Sequence, residues 1–213
     1  MSIWNTKKKT YNSLSRWYDA ISGKRERSLG FEAAQWLMEF SQGDILEIGC
    51  GTGNASAYLH QKTEGSQQII SIDLAYQMCI RTRKRIISSN CSNPFIISNA
   101  NAIHLPFQEN SINGILMAFT FELFPAGSIS SLLDECKRVL EKNGYLCLVG
   151  MSIMETPNLI YYLYKCFNKT FPKWVDCRPV NFTKYLVQSQ YTIIKIERKK
   201  LWGLPVEIVL AQE

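Results

Sequence analysis

Gly49, Gly51 and Gly53 sit at every second position in the run "DILEIGCGTGN", residues 44–54. Each glycine costs ordering entropy, so three together mark a backbone that must bend tightly and approach something closely. They stand where a β-rich run gives way to a helical pattern, and free amides at a helix start attract polar groups. The spacing is GxGxG, with Asn54 where the dinucleotide fingerprint GxGxxG has its last glycine. Glu47 lies just upstream. An acid there repels a pyrophosphate and suits a cationic ligand or an amine. Asp73 ends the next β-rich run, 20 residues after Gly53. A carboxylate at that place reaches the ribose hydroxyls of an adenosine-containing cofactor, although a lone strand-end Asp also serves as a helix N-cap.

The elements that must position these residues alternate. Strands are expected at 44–49, 68–73, 94–98, 112–119 and 145–151, then at 192–199 and 207–212. The first five are almost continuously apolar, as in strands covered on both faces. Helical patterns occupy "FEAAQWLMEF", "ASAYLHQ", "LAYQMCIRTRKRIISS" and "SISSLLDECKRVLEKNG", the last ending in an Asn-Gly pair that suits a helix stop. His60 falls on the polar face of its helix. The expected fold is α/β, a Rossmann-like, seven-stranded, mostly parallel sheet with helices on both faces. The last two strands are joined too tightly for a crossover helix. They should form a hairpin-like pair, giving one antiparallel strand at the end of the sheet. A single domain spans 1–213, with an N-terminal lid helix at 1–30 and a substrate-covering insertion at 152–180.

Composition narrows the function classes. Charged residues make up 20% of 213, and the net charge of +6 is modest for a dedicated nucleic-acid binder. The seven cysteines are odd in number and irregular in spacing, which argues against a disulfide framework or zinc site and for reduced thiols in a cytoplasmic protein. No apolar segment follows the N-terminal lysines as in a signal peptide, and no apolar run approaches the ~20 residues of a membrane span. No metal is expected. HExxH, a P-loop and a Ser-His-Asp set are absent from the sequence.

Four stretches together resemble the class I S-adenosylmethionine-dependent methyltransferases. They are "LEIGCGTGN", "ISIDLAYQM", "NANAIHLPFQENSINGILMAFTFELF" and "LLDECKRVLEKNGYLCLVG". Within that superfamily the chain is most similar to the ubiquinone/menaquinone biosynthesis C-methyltransferases, a methyltransferase type 11 group whose members often begin with a Tyr-rich helix like "YNSLSRWYDAISG". The resemblance covers about residues 10–150.

That resemblance implies S-adenosyl-L-methionine as cofactor and a set of roles. Gly49, Cys50, Gly51, Thr52 and Gly53 would pack beside its methionine part, with Glu47 helping to hold the aminoacyl end. Asp73 would take the ribose hydroxyls, and Leu74 and Met78 would line the adenine. Asn101 and Ala102 stand where many members carry Asp-Ala, and an Asn carbonyl still accepts from the adenine amine. Ala118 and Phe119 would bring methyl donor and acceptor together. Glu122 is a candidate base for a phenol or quinol, with an exposed helix-start acid as the alternative. Tyr11 and Tyr18, on one helical face with Leu14 and Ile21, would cover the cofactor. The basic run "RTRKR" and the aromatic, Lys-bearing "NLIYYLYKCFNKTFPKWV" suit either ordinary surface and packing or peripheral contact with an anionic membrane.

The expected activity is methyl transfer to a small, lipophilic acceptor such as a quinol or phenol, without nucleic acid as partner. Alternatives are O- or N-directed methylation of another small molecule, a methyltransferase-fold adaptor without catalysis, a nicotinamide-dependent oxidoreductase and an RNA methyltransferase.

Overall fold

Strands β1, β2, β4 and β5 are covered on both faces while β3, at the edge, is partly exposed, and the sheet order explains how. The computed structural model describes residues 23–63, 67–89, 94–153 and 178–213. Helix α1 (Gly23–Phe40) leads into β1 (Ile45–Ile48), α2 (Asn54–Lys62), β2 (Ile69–Asp73), α3 (Tyr76–Ser88), β3 (Phe95–Asn99) and β4 (Ile112–Ala118). Two single-turn 3-10 helices, Phe121–Leu123 and Ala126–Ser128, precede α4 (Ile129–Val139). Then come β5 (Leu140–Met151), α5 (Phe182–Gln188), β6 (Thr192–Leu201) and β7 (Leu204–Gln212). The seven strands are ordered β3-β2-β1-β4-β5-β7-β6.

The first five strands pair in parallel. Only β7 runs against its neighbours, antiparallel to both β5 and β6. The hairpin-like pair is therefore present, but its antiparallel member is inserted beside β5 and β6 takes the edge. Side chains alternate between two apolar layers, as the period of two requires. Leu46, Ile48, Ile70, Ile115 and Leu148 pack under α4 and α5, whose Leu132, Leu133, Phe182 and Leu186 fill that side. Ile45, Ile69, Leu116 and Val149 face α1 and α2, meeting Ala33, Leu37, Ala55 and Leu59.

Several local expectations shift. Helix α1 starts eight residues before "FEAAQWLMEF", so the second part of the expected lid is the beginning of this helix. Helix α4 ends at Val139, and Asn143-Gly144 lies inside β5 as a bend, with Asn143 at φ 62°. The pairing of β4 with β5 shifts register between Ile112 and Gly114 beside it. Helix α5, capped by Asn181 accepting from the Lys184 N–H, was not anticipated. His60 is buried, with its ring 5.9 Å from Phe95, because α2 lies against the sheet on that side; burial lowers its pKa to about 4. Tyr11 and Tyr18, and most of the expected insertion, lie outside the described residues. Its two ends do not: Ser152 and Val180 form a parallel bridge, with the Val180 N–H donating to Met151 O at 2.9 Å.

Candidate active site

In an open parallel sheet, ligands sit outside the carboxyl ends of the strands, where the strand order reverses. Here the reversal is between β1 and β4, and a cavity opens there with about 1190 Å³ of empty space, its mouth included. Loops from the ends of β1, β2, β3 and β4 make its walls, together with the first turns of α1.

The glycine loop is fixed from three sides. Gly49, Gly51 and Gly53 all have left-handed φ, at 77°, 55° and 82°. A Cβ on Gly49 would fall 2.4 Å from Thr120 Oγ1, and one on Gly53 would fall 2.7 Å from the Thr82 Cα. One on Gly51 would meet nothing within 4 Å. Two glycines thus let β4 and α3 close on the loop, and the third faces open space. Thr82 donates to Gly51 O at 3.1 Å and to Cys50 Sγ at 3.3 Å. Arg85, from the basic run, donates to Asn54 Oδ1. Thr52 is buried, with the Asn54 amide donating to its hydroxyl.

Asp73 ties this loop to β2. Its Oδ2 accepts the Gly51 N–H at 2.9 Å and its Oδ1 the Ala75 N–H at 2.8 Å. It therefore serves as the turn acceptor after the strand while lining the cavity. Burial raises its pKa, with those two amide bonds opposing the rise. Glu47 is 2% exposed in the middle of the sheet. Its carboxylate accepts from Ser56 on α2 and from Ser71 on β2, at 3.1 Å for the latter. Burial outweighs these bonds and raises its pKa to about 7.

Leu74, Met78, Asn101 and Ala102 line the β2–β3 side of the cavity. Asn101 Oδ1 accepts the Ile103 N–H at 3.2 Å, which closes an Asx turn and leaves a second lone pair. That loop is clamped from α4. Glu135 accepts the Leu105 N–H at 2.7 Å, and Arg138 donates to Leu105 O, Phe107 O and Glu135 itself.

On the β4 side, Ala118, Phe119, Thr120, Leu123 and Phe124 form an apolar wall, faced by Gly30, Glu26 and Arg27 of α1. Phe119 has φ 52°, a strained conformation for a bulky residue, held by its N–H donating to Val149 O at 2.7 Å. Glu122 is 1% exposed, so it is no surface helix-start acid. Oε1 accepts the Met151 N–H at 3.1 Å, and Oε2 is buried with no partner. Burial raises its pKa to about 8. Arg178, just after the insertion, donates to Phe124 O at 2.7 Å and adds a positive charge near Glu122.

Residues 45–144 match a family model described as a methyltransferase domain. That stretch carries a methyltransferase domain, and the chain is similar to S-adenosylmethionine-dependent methyltransferases. It is 27% identical over 192 residues to a demethylmenaquinone methyltransferase of Symbiobacterium thermophilum, covering 86% of this chain and 74% of that one. Among solved structures it resembles a SAM-dependent methyltransferase from Aquifex aeolicus, with TM-score 0.67 and 18% identity over 94% and 97% of the two chains. It also resembles 1,6-didemethyltoxoflavin-N1-methyltransferase of Burkholderia thailandensis, solved with S-adenosylhomocysteine, with TM-score 0.71 and 12% identity over 100% and 91%.

The lining of this methyltransferase cavity fits the cofactor. Open space beside Gly51, a carboxylate at the end of β2 and an apolar slot at Leu74, Met78 and Ala102 suit a nucleoside with an amino-acid tail. The sequence motifs supplied these residues. They did not supply Thr82 and Thr120, which back the glycines, or Glu26, Arg27 and Gly30. One signal was available for α1. Its buried stripe Gly30, Ala33, Ala34, Leu37 continues backwards at helical spacing to Glu26, an acid on a buried face.

Proposed function

We propose that this methyltransferase transfers the methyl group of S-adenosylmethionine to a carbon of a small, lipophilic quinol or phenol. The observation that carries the reading is the division of the cavity. Its β2 side is lined for a nucleoside, and its β4 side is an apolar wall of Ala118, Phe119, Leu123 and Phe124. The relative from Symbiobacterium thermophilum, called a demethylmenaquinone methyltransferase, supports a quinone-type acceptor.

When bound, the cofactor supplies a methyl group already activated on a sulfonium sulfur. The chain's own residues then align and exclude water. Asp73 would hold the ribose hydroxyls, the Gly49–Gly53 loop the methionine part, and Asn101 the adenine amine through its remaining lone pair. Strained Phe119 would set the position of the acceptor ring. The segments before residue 23 and between 153 and 178 would cover the acceptor. The bridge of Ser152 to Val180 supports this, because it ties both ends of the second segment beside Glu122 and Phe124.

The test is transfer of isotope-labelled methyl from S-adenosylmethionine to a chemically reduced, short-chain demethylmenaquinol. Mass spectrometry should locate the label on the ring carbon. Label on oxygen, or none on any quinol with cofactor binding intact, would sink the reading. Among the described residues no helix is long and apolar enough to cross a membrane. We place the protein in the cytoplasm with peripheral membrane contact. The outer face of α3 supports it, where Tyr76 and Ile87 are exposed beside Arg83 and Lys84. Pull-down by anionic vesicles that weakens as salt rises is the expected result. Equal retention by neutral vesicles would refute an electrostatic contact.

A further inference from the structure

We infer that Glu26 is the proton acceptor of this reaction, the side chain that takes the hydroxyl proton of the aromatic acceptor as its ring carbon is methylated. The inference rests on the quinol reading above and assigns it a catalytic residue.

The cavity has four carboxyl groups on or beside its wall: Glu26, Glu47, Asp73 and Glu122. Two of them are occupied, and a third is shut away from solvent. Glu47 is held by Ser56 and Ser71, and Asp73 by the Gly51 and Ala75 amides. Glu122 turns one oxygen to the Met151 N–H and buries the other without a partner. Glu26 alone lines the cavity with no hydrogen bond or ion pair among the described residues.

Its place in the fold is on the acceptor side. It lies one helical turn before Gly30, whose position for a Cβ is 3.7 Å from the Ala118 Cβ at the end of β4. Asp73 ends β2, two strands away, which is about 10 Å at ordinary strand spacing. Glu26 thus sits one helical turn from the contact at Ala118, on the wall of the cavity that faces the end of β4.

Burial sets its ionisation, with charged groups on each neighbouring element. Arg27 stands beside it on α1, Glu122 interacts with it from the turn after β4, Arg178 acts on Glu122 from the chain after the insertion, and Glu47 and Asp73 lie along the sheet. Repulsion from Glu26 is one of the causes that hold Glu122 in its protonated form. Burial lifts the Glu26 carboxyl to about 7, within the range in which a base works at neutral pH.

In the step, the hydroxyl O–H bond breaks and its proton goes to Glu26. The ring carbon's electron pair forms the new C–CH3 bond as the S–CH3 bond breaks, and that bond's pair stays on sulfur. The ring C–H proton then leaves to water, the ring recovers its aromaticity, and Glu26 returns its proton to the oxygen. One proton is released per methyl transferred.

The experiment compares wild type, Glu26→Gln and Glu26→Asp with reduced short-chain demethylmenaquinol as acceptor. Glu26→Gln should lower kcat by roughly 10²–10⁴-fold, and Glu26→Asp should recover part of the loss. The wild-type rate should rise with pH through about 7, and that limb should vanish in Glu26→Gln. S-adenosylhomocysteine affinity and the unfolding midpoint should stay at wild-type values. In ¹³C-glutamate NMR, a carboxyl titrating near neutral pH should disappear in Glu26→Gln. A Glu26→Gln enzyme that keeps its kcat and the same pH limb overturns the inference and leaves the quinol reading standing. A wild type that binds S-adenosylhomocysteine but methylates no quinol overturns the acceptor class, and the role of Glu26 falls with it.

Discussion

Gly51→Ala and Gly53→Ala should fail for opposite reasons. Both positions are left-handed, at φ 55° and 82°, so an alanine at either costs roughly 1–2 kcal/mol in backbone strain. At Gly51 that is the whole stability cost, because a Cβ would meet nothing within 4 Å. For a chain of this size the loss lowers the unfolding midpoint by several degrees, at about 2–4 °C per kcal/mol. At Gly53 the new methyl would lie 2.7 Å from the Thr82 Cα, a backbone atom that cannot rotate away. Overpacking of that kind adds roughly 1–3 kcal/mol, so Gly53→Ala should be much the less stable variant. Binding should reverse the order of interest. The Gly51 methyl would project into the cavity that the loop lines. S-adenosylhomocysteine at ~100 times its dissociation constant stabilises wild type by about 2.7 kcal/mol, and Gly51→Ala should lose most of that increment. The assay is thermal unfolding of both variants with and without the ligand. If Gly51→Ala keeps the full ligand-induced rise, the space beside Gly51 is not where the cofactor packs. If Gly53→Ala is as stable as Gly51→Ala, the close approach of α3 does not constrain the loop.

The loop clamp can be tested from α4. Arg138→Lys cannot keep the fork that holds Leu105 O, Phe107 O and Glu135 together, and S-adenosylhomocysteine affinity by calorimetry should fall roughly tenfold, with unchanged affinity as the refuting result. Glu47 binds its proton more tightly folded, at about 7, than unfolded at about 4.3, so stability should fall as pH rises between those values. Unfolding in urea from about pH 5 to 8 should show a loss on the order of 3 kcal/mol in wild type relative to Glu47→Gln, and parallel curves would refute it. Gly150→Ala would press a methyl to 2.5 Å from Glu122 Oε2. It should destabilise by roughly 1–3 kcal/mol alone and by much less in a Glu122→Ala background, whereas additive effects would place the strain elsewhere.

What could be foreseen from the sequence was chemistry set by neighbours along the chain. The glycine spacing, the acid at a strand end and the apolar runs each occupy a few consecutive residues, and each has one dominant physical reading. The runs read as buried strands because helices cover both faces, which leaves no polar alternation in Ile45–Ile48 or Ile69–Asp73 beyond Glu47, Ser71 and the closing acid. Features fixed by distant partners were not legible. The insertion of β7 between β5 and β6 depends on register across the sheet, and nothing within "EIVLAQ" states it. Helix α5 is only seven residues long, too short for periodicity to speak, and is held by its Asn181 cap and by Phe182 and Leu186 reaching the core.

The site divides along the same line. Asp73 was visible as an acid at a strand end. That it grips the Gly51 amide, and so joins the two motifs into one cradle, is a contact across 22 positions. Glu135 and Arg138 were visible as part of a family segment, but their task is to hold a loop about 30 residues away. Asn113 does the same for the turn into β1, accepting from Ser41, Gln42 and Gly43 through one oxygen. Each is a polar side chain that satisfies backbone groups of a loop bordering the sheet, where no strand or helix partner exists. Loops that bind must lack regular partners in order to face a ligand. The groups that fix them therefore come from elsewhere in the chain, and a sequence shows those groups without showing what they hold.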